Sequence, residues 1–127
     1  MTFRELRREI GRLAIVGFAG RSVPDDTRRL AADFDLGGVI YFSRNIESPE
    51  QVRELSREAT GLAREWPLWV SVDQEGGRVA RLTAPFTVWP PAASLGRSGE
   101  ATLARRFAAA LATELRAVGI NMDYAPV

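Results

Sequence analysis

The segment WVSVDQEGGRVARL, residues 69–82, decides how the rest of the chain is read. A compact apolar run, Leu68 to Val72, gives way to two carboxylates, Asp73 and Glu75. Gly76 and Gly77 follow, and then two arginines, Arg78 and Arg81. A short run that is apolar at consecutive positions reads as a strand covered on both faces, the pattern of a parallel α/β sheet. In parallel α/β architectures ligands are met at the carboxyl ends of the strands, and Asp73 stands at one.

Working outward from this strand, the same alternation recurs in both directions. Thr2 and Glu5 have the spacing of a capping box, and Phe3, Leu6 and Ile10 follow at helical intervals, so a short opening helix is expected. Leu13 to Phe18 reads as a buried strand closed by Gly20. Pro24 suits the first residue of a helix reaching about Phe34, with Leu30 and Phe34 turned inward and Gly37 and Gly38 as its stop. Val39 to Phe42 is a second strand. Ser48, Pro49 and Gln51 form a strong helix start, and Val52, Leu55, Ala59, Leu62 and Ala63 supply the apolar stripe, with Pro67 beyond its end.

Downstream of the quoted segment, Pro85, Pro90, Pro91 and Gly96 make residues 83–98 read as loop. Ser98 or Gly99 then opens a long alanine-rich helix bearing Leu103, Phe107, Leu111, Leu115 and Val118, with Gly119 suited to the position just past its end. Ile120 to Val127 begins a fourth strand. A strand–helix unit of about 30–45 residues fits a (β/α)8 barrel, with a doubly wound sheet as the alternative. Four strands are half of such a ring. The expected fold is therefore α/β, the N-terminal half of a (β/α)8 TIM barrel with about four parallel strands and flanking helices, and the chain is expected to be a piece of something larger.

Bulk composition narrows the chemistry. The 127 residues are 46% hydrophobic and 26% charged with a net charge of +1, the profile of a globular domain with no electrostatic call for a nucleic-acid or membrane partner. No run approaches the ~20 apolar residues of a membrane span, and a cytoplasmic location is the default expectation. The chain contains no cysteine and no histidine, which removes thiolate nucleophiles, cysteine metal sites, the usual ligand of catalytic zinc and the side chain best suited to proton transfer near neutrality. No metal and no cofactor is expected. All basic residues are arginine and they are scattered, which points to genome composition more than to function.

Asp73, Glu75, Arg78 and Arg81 are candidates to line a pocket for a polar ligand, with Gly76 and Gly77 letting the backbone turn tightly and approach it. A carboxylate accepting from neighbouring hydroxyls, with a guanidinium donating beside it, is a natural grip on a sugar. The plainer reading is a βα loop in which Arg78 or Arg81 pairs with Glu75 at the surface. A sharper one makes Asp73 and Glu75 a retaining glycosidase pair, since residues two apart on a strand share a side. Asp123, near the end of the fourth strand, divides between ligand contact and a structural hydrogen bond. Tyr41 and Trp89 divide between core packing and platforms for a sugar face. Asp25 and Asp26 suit the first turn of their helix. VGFAGRS (16–22) lacks the third glycine of a dinucleotide fingerprint, and no phosphate-binding P-loop is present.

The segment VDQEGGRVARL (72–82) resembles the D-x-E-G-G-R-V-x-R stretch of the β-N-acetylhexosaminidases of glycoside hydrolase family 3. IGRLAIVGFAG (10–20) is similar to that family's first strand and LGGVIYFSRNI (36–46) to its second. VWPPAASLG (88–96) is similar to the loop after strand three, and GINMDYAPV (119–127) to strand four. The resemblance spans essentially the whole chain, taken as a partial family 3 N-terminal domain over residues 1–127 that breaks off after strand four.

What it implies is a glycosidase that hydrolyses terminal β-linked N-acetylglucosamine with retention, of the type that recycles peptidoglycan fragments. By the resemblance Asp73 binds sugar hydroxyls and Arg81 belongs to the same pocket, with Glu75, Arg78 and Asp123 in support. Asp73 and Glu75 are then not the catalytic pair. The family's nucleophile and its histidine acid/base match no position here, so no catalytic residue is assigned and the chain alone is expected to be inactive. It is also expected to need the remainder of its own barrel for a complete fold. The alternatives are a non-catalytic sugar-binding or scaffold fragment, and an unrelated α/β protein whose glycine pair holds a phosphate.

Overall fold

The computed structural model describes residues 1–126. Helix α1 (Phe3–Gly11) starts as its sequence dictates: the Thr2 hydroxyl accepts from the Glu5 N–H at 3.2 Å, and the Glu5 carboxylate accepts from the Thr2 N–H at 2.6 Å. Its apolar residues are not buried, however, and Phe3 and Ile10 stand 74% and 56% exposed. Strand β1 (Ile15–Gly17) is shorter than the apolar run suggests, because Leu13 lies in the tight turn leaving α1 and is exposed.

Helix α2 (Asp25–Phe34) takes Pro24 as its N-cap, one position earlier than expected, and puts Asp25 and Asp26 in its first turn. It buries Thr27 and Ala31, while Leu30 faces solvent. The face turned inward is thus rotated from the Leu30–Phe34 stripe: the small Thr27 and Ala31 are the side chains buried, and α1 is a close neighbour of this helix. The helix ends at Asp35, held in the left-handed region at φ 55°, ahead of the glycine pair. Strand β2 (Gly38–Tyr41) leads through a 3-10 turn at 43–45 to helix α3 (Pro49–Thr60). Ser48 caps α3 by accepting from the Gln51 N–H at 3.2 Å, and Val52, Leu55 and Ala59 are buried beneath it.

Strand β3 (Trp69–Val72) continues into a small antiparallel hairpin, β4 (Gln74–Gly76) and β5 (Val79–Ala80), where the sequence reads as loop. A second departure is helix α4 (Ala92–Ser98), which lies inside the expected 83–98 loop. Pro90 and Pro91 precede this helix without interrupting it, and Ala92, Ala93 and Leu95 are good helix formers. Helix α5 (Ala101–Ala117) ends in a Schellman motif: the Ile120 N–H donates to the Leu115 carbonyl at 3.0 Å and the Gly119 N–H to the Arg116 carbonyl at 3.1 Å. Strand β6 (Met122–Asp123) completes the sheet.

The four long-range strands are all parallel in the order β1-β2-β3-β6, so each helical connection crosses to the neighbouring strand. Val39, Tyr41, Val70 and Val72 turn one face of this sheet toward the helices and pack with Val52, Leu55, Leu111 and Leu115 in the core. Ile15, Ile40, Trp69, Ser71 and Met122 alternate onto the opposite face. Parallel strands in sequential order with helices on one side are the N-terminal half of a (β/α)8 barrel.

Tyr41 belongs wholly to this core, edge-on to Phe18 with ring centroids 6.1 Å apart, and is no sugar platform. Burial pushes its phenol up to about 12, and its hydroxyl, near that of Ser56, finds no hydrogen-bond partner of good geometry among the described residues. Ionising the phenol is therefore easier in the unfolded chain, whose tyrosine titrates near 10, so stability is intact below pH ~10 and falls as pH rises toward 12. The expected loss by pH 12 is about 2 kcal/mol relative to Tyr41→Phe, measured as urea unfolding of both proteins across that range. Parallel pH profiles for the two would contradict this.

Candidate functional site

The site forms where β1, β2, β3 and β6 reach their carboxyl ends. By alternation along β3, Asp73 follows Trp69 and Ser71 onto the sheet face away from the helices. Its carboxylate accepts from a terminal nitrogen of Arg81 at 3.0 Å, and both side chains are 26% exposed. An ion pair at that exposure contributes about 0–1 kcal/mol to stability, so its main effect is to hold two charged groups in a fixed relation. The Arg81 guanidinium also lies 5.7 Å from the centre of the Phe42 ring, at the tip of β2. Its Nε is buried and meets no acceptor among the described residues.

Gln74 sets this arrangement, and nothing in the sequence singled it out. Its side chain is buried; the amide oxygen accepts from the N–H groups of Arg81 and Leu82 at 2.8 and 3.0 Å, and the amide nitrogen donates to the Leu82 carbonyl at 2.9 Å. One amide thus satisfies three backbone groups of the returning chain and fixes where Arg81 leaves it. The available signal was a polar residue alternating between two carboxylates at a strand end, which periodicity alone cannot distinguish from a surface position.

Asp123 takes the structural role: its carboxylate accepts from the Gln74 N–H at 2.9 Å, tying β6 to the start of the hairpin. Burial raises its pKa, the Gln74 hydrogen bond opposes the rise, and the charges of Asp73 and Glu75 add to it. Glu75 and Asp123 line a groove of about 730 Å³ that runs along α5, and Asp73 is not among its walls. β3 and β4 belong to different sheets, with Asp73 between them and Glu75 within β4. Arg78 is exposed in the hairpin turn. The structure therefore brings Asp73 and Arg81 together and ties Asp123 to Gln74, while Glu75 lines the groove along α5 and Arg78 stands exposed in the hairpin turn.

The glycine pair has a different purpose from the one expected. Gly76 and Gly77 have φ of 85° and 61°, and the Gly77 N–H donates to the Trp89 carbonyl at 2.9 Å. A Cβ on Gly76 would stand 2.2 Å from the Pro90 carbonyl oxygen. The tight turn is confirmed, but what approaches the bare backbone is the chain's own 89–91 segment. Trp89 itself packs edge-on to Phe107 with centroids 4.9 Å apart and donates its ring N–H to Glu114 at 3.1 Å, a structural anchor for that segment.

A second buried amide organises the neighbouring tips. Asn45 accepts from the Phe42 N–H at 2.9 Å and donates to the carbonyls of Phe18 and Gly20 at 3.1 and 2.7 Å, locking β1 to β2. Arg44 donates to the Phe18 carbonyl at 3.0 Å and lies 4.6 Å over the Phe42 ring. No group of three side chains able to hold a metal ion occurs among the described residues. No helix among them is long and apolar enough to cross a membrane.

Chemically, the arrangement offers an anchored carboxylate with free lone pairs beside a guanidinium, open at the strand tips, which suits binding of vicinal hydroxyls. Residues 5–127 match the model of the glycosyl hydrolase family 3 N-terminal domain. The chain is 44% identical to a beta-hexosaminidase of Thiobacillus denitrificans over 86% of its own length and 32% of that protein's. It spans about a third of the length of the curated relatives it matches. Among solved structures, it superposes with a TM-score of 0.88 and 43% identity on a glycoside hydrolase family 3 beta-N-acetylglucosaminidase from Paenibacillus, covering 99% of this chain and 24% of that one. NagZ from Neisseria gonorrhoeae, solved in complex with N-trifluoroacetyl-D-glucosamine, matches with a TM-score of 0.77 and 32% identity over 89% of this chain and 34% of that one. The strand-tip geometry and these likenesses agree: the chain belongs to glycosyl hydrolase family 3, in its N-terminal domain.

Proposed function

We propose that this chain supplies the sugar-gripping half of a β-N-acetylhexosaminidase barrel that releases terminal β-linked N-acetylglucosamine with retention. The observation that carries the reading is the Asp73–Arg81 pair, held at 3.0 Å on the carboxyl tip of β3. Asp73 accepts hydrogen bonds from neighbouring sugar hydroxyls, while Arg81 orients that carboxylate and donates to the ring's other oxygens. Gln74 and Asp123 support the pair; Glu75 and Arg78 give charge at the rim. The bond-breaking nucleophile and acid/base are assigned to no residue of this chain, which has no histidine. The names of the relatives support the substrate class. Cell-wall fragments carrying terminal N-acetylglucosamine, processed in the cytoplasm during peptidoglycan recycling, are the substrates that fit this reading.

A second reading, a non-catalytic sugar-binding module, is favoured by one observation: the carboxylate at the strand tip is already engaged by Arg81. Both readings require a sugar site, and turnover separates them from self-sufficient catalysis. Titration of the 127-residue chain with N-acetylglucosamine, followed by NMR shifts of the Arg81 and Asp73 resonances, is expected to show saturable binding. A chromogenic β-N-acetylglucosaminide is expected to be left intact by the same sample. Turnover by this chain alone would place the chemistry within it; absence of saturable binding would remove the sugar grip.

A further inference from the structure

We propose that Phe42 is a positioning residue for the sugar grip, its ring fixing the Arg81 guanidinium beside Asp73 before a ligand arrives. The inference rests on the reading of Asp73 and Arg81 as that grip and adds the side chain that sets their geometry. By alternation Phe42 follows Ile40 onto the sheet face that carries Asp73, and the pairing of Tyr41 with Val72 sets the two at adjacent strand tips. The Arg81 guanidinium lies 5.7 Å from the Phe42 ring centre, inside the ~6 Å at which a ring's negative face attracts a cation. Its hydrogen bond to Asp73 uses one terminal nitrogen, and its buried Nε meets no acceptor among the described residues. A single contact at 26% exposure is a weak tether for a long side chain. The ring is a second constraint, and it uses none of the guanidinium's donors.

The ring is itself held. Asn45 accepts from the Phe42 N–H at 2.9 Å and fixes its backbone. Gly17 lets the ring lie close to β1, since a Cβ there would stand 3.3 Å from Phe42 Cε2. The Arg44 guanidinium lies 4.6 Å from the same ring centre, and its Nε donates to the Phe18 carbonyl at 3.0 Å, which anchors that cation to the tip of β1. All these residues stand on β1, β2 or the segments that follow β1, β2 and β3, and β2 has a hydrogen-bonded strand on both sides. An arginine left free would lose rotamer freedom when a ligand bound. One already fixed loses less, and affinity rises accordingly.

The test compares Phe42→Leu, which keeps an apolar side chain without the ring's negative face, with Phe42→Tyr, which keeps the ring. In the 127-residue chain the Arg81 Nε–H NMR signal, identified by its loss in Arg81→Lys, is expected at a ring-shifted position. In Phe42→Leu it is expected to move toward that of a solvent-exposed arginine. N-acetylglucosamine is expected to bind Phe42→Leu roughly 3- to 10-fold more weakly, and Phe42→Tyr to retain both the signal and the affinity. Phe42→Met, a second ringless variant, is expected to behave as Phe42→Leu, which separates a folding defect of one substitution from loss of the ring. An Arg81 signal and an affinity unchanged in the ringless variants would overturn the proposal. So would weaker binding with the Arg81 signal unmoved, which makes the ring a direct sugar contact. If N-acetylglucosamine binds none of the chains, the sugar reading fails, and the Arg81 signal alone then decides whether the ring holds the guanidinium.

Discussion

Asp73→Ala is expected to weaken binding of N-acetylglucosamine by about 10- to 150-fold, the equivalent of roughly 1.5–3 kcal/mol for a lost charge-assisted hydrogen bond. The carboxylate sits at the tip of β3 with Arg81 as its one hydrogen-bond partner among the described residues and is only 26% exposed, so its remaining lone pairs are already positioned for a ligand. Stability is expected to change far less than affinity, because a partly exposed ion pair contributes about 0–1 kcal/mol and Gln74 holds the local backbone without it. Asp73→Asn should fall between, keeping one acceptor and losing the charge. The comparison is a sugar titration and a urea melt on each variant. Unchanged affinity with an unchanged melt would reduce Asp73 and Arg81 to a surface ion pair.

Gly76→Ala is expected to cost about 2–5 kcal/mol of stability. Two independent penalties add there. The backbone at φ 85° disfavours any residue with a Cβ, and that Cβ would lie 2.2 Å from the Pro90 carbonyl oxygen, a backbone atom that can retreat only by moving the whole 89–91 segment. That segment is anchored through Trp89 to Glu114 and Phe107 on α5, so the strain would pass into the core. Thermal melting of the variant beside Gly96→Ala, where an added Cβ meets nothing within 4 Å, separates local crowding from general loss of glycine. Equal melting of the two would remove the close-approach argument.

The capped starts of α1 and α3, the buried runs of β2 and β3 and the Schellman end of α5 were all legible, because each depends on contacts within a few residues. Asp73 and Arg81 were legible as candidates for the same reason: charge at the end of a covered strand is a local signal. Helix α4 was not, since four breakers between residues 83 and 98 outweighed a short run of helix formers. The inward face of α2 was misjudged because Leu30 is the larger hydrophobe, yet the small Thr27 and Ala31 are the side chains the fold buries.

The sequence by itself determined the alternation of parallel strands and helices, read from periodicity, and the carboxylate and guanidinium at the tip of β3, read from residues within one loop; the family was legible in the resemblance of five segments spread along the chain. Only the tertiary structure decided that Asp73 pairs with Arg81, that Asp123 accepts from the Gln74 N–H, and that Gln74 and Asn45 bind the strand tips together. Those outcomes depend on groups brought within about 3 Å across folds of the chain, Gln74 to Asp123 at a separation of 49 residues among them. Hydrophobic periodicity carries the spacing of neighbours along a chain; it does not carry the direction in which a buried amide points.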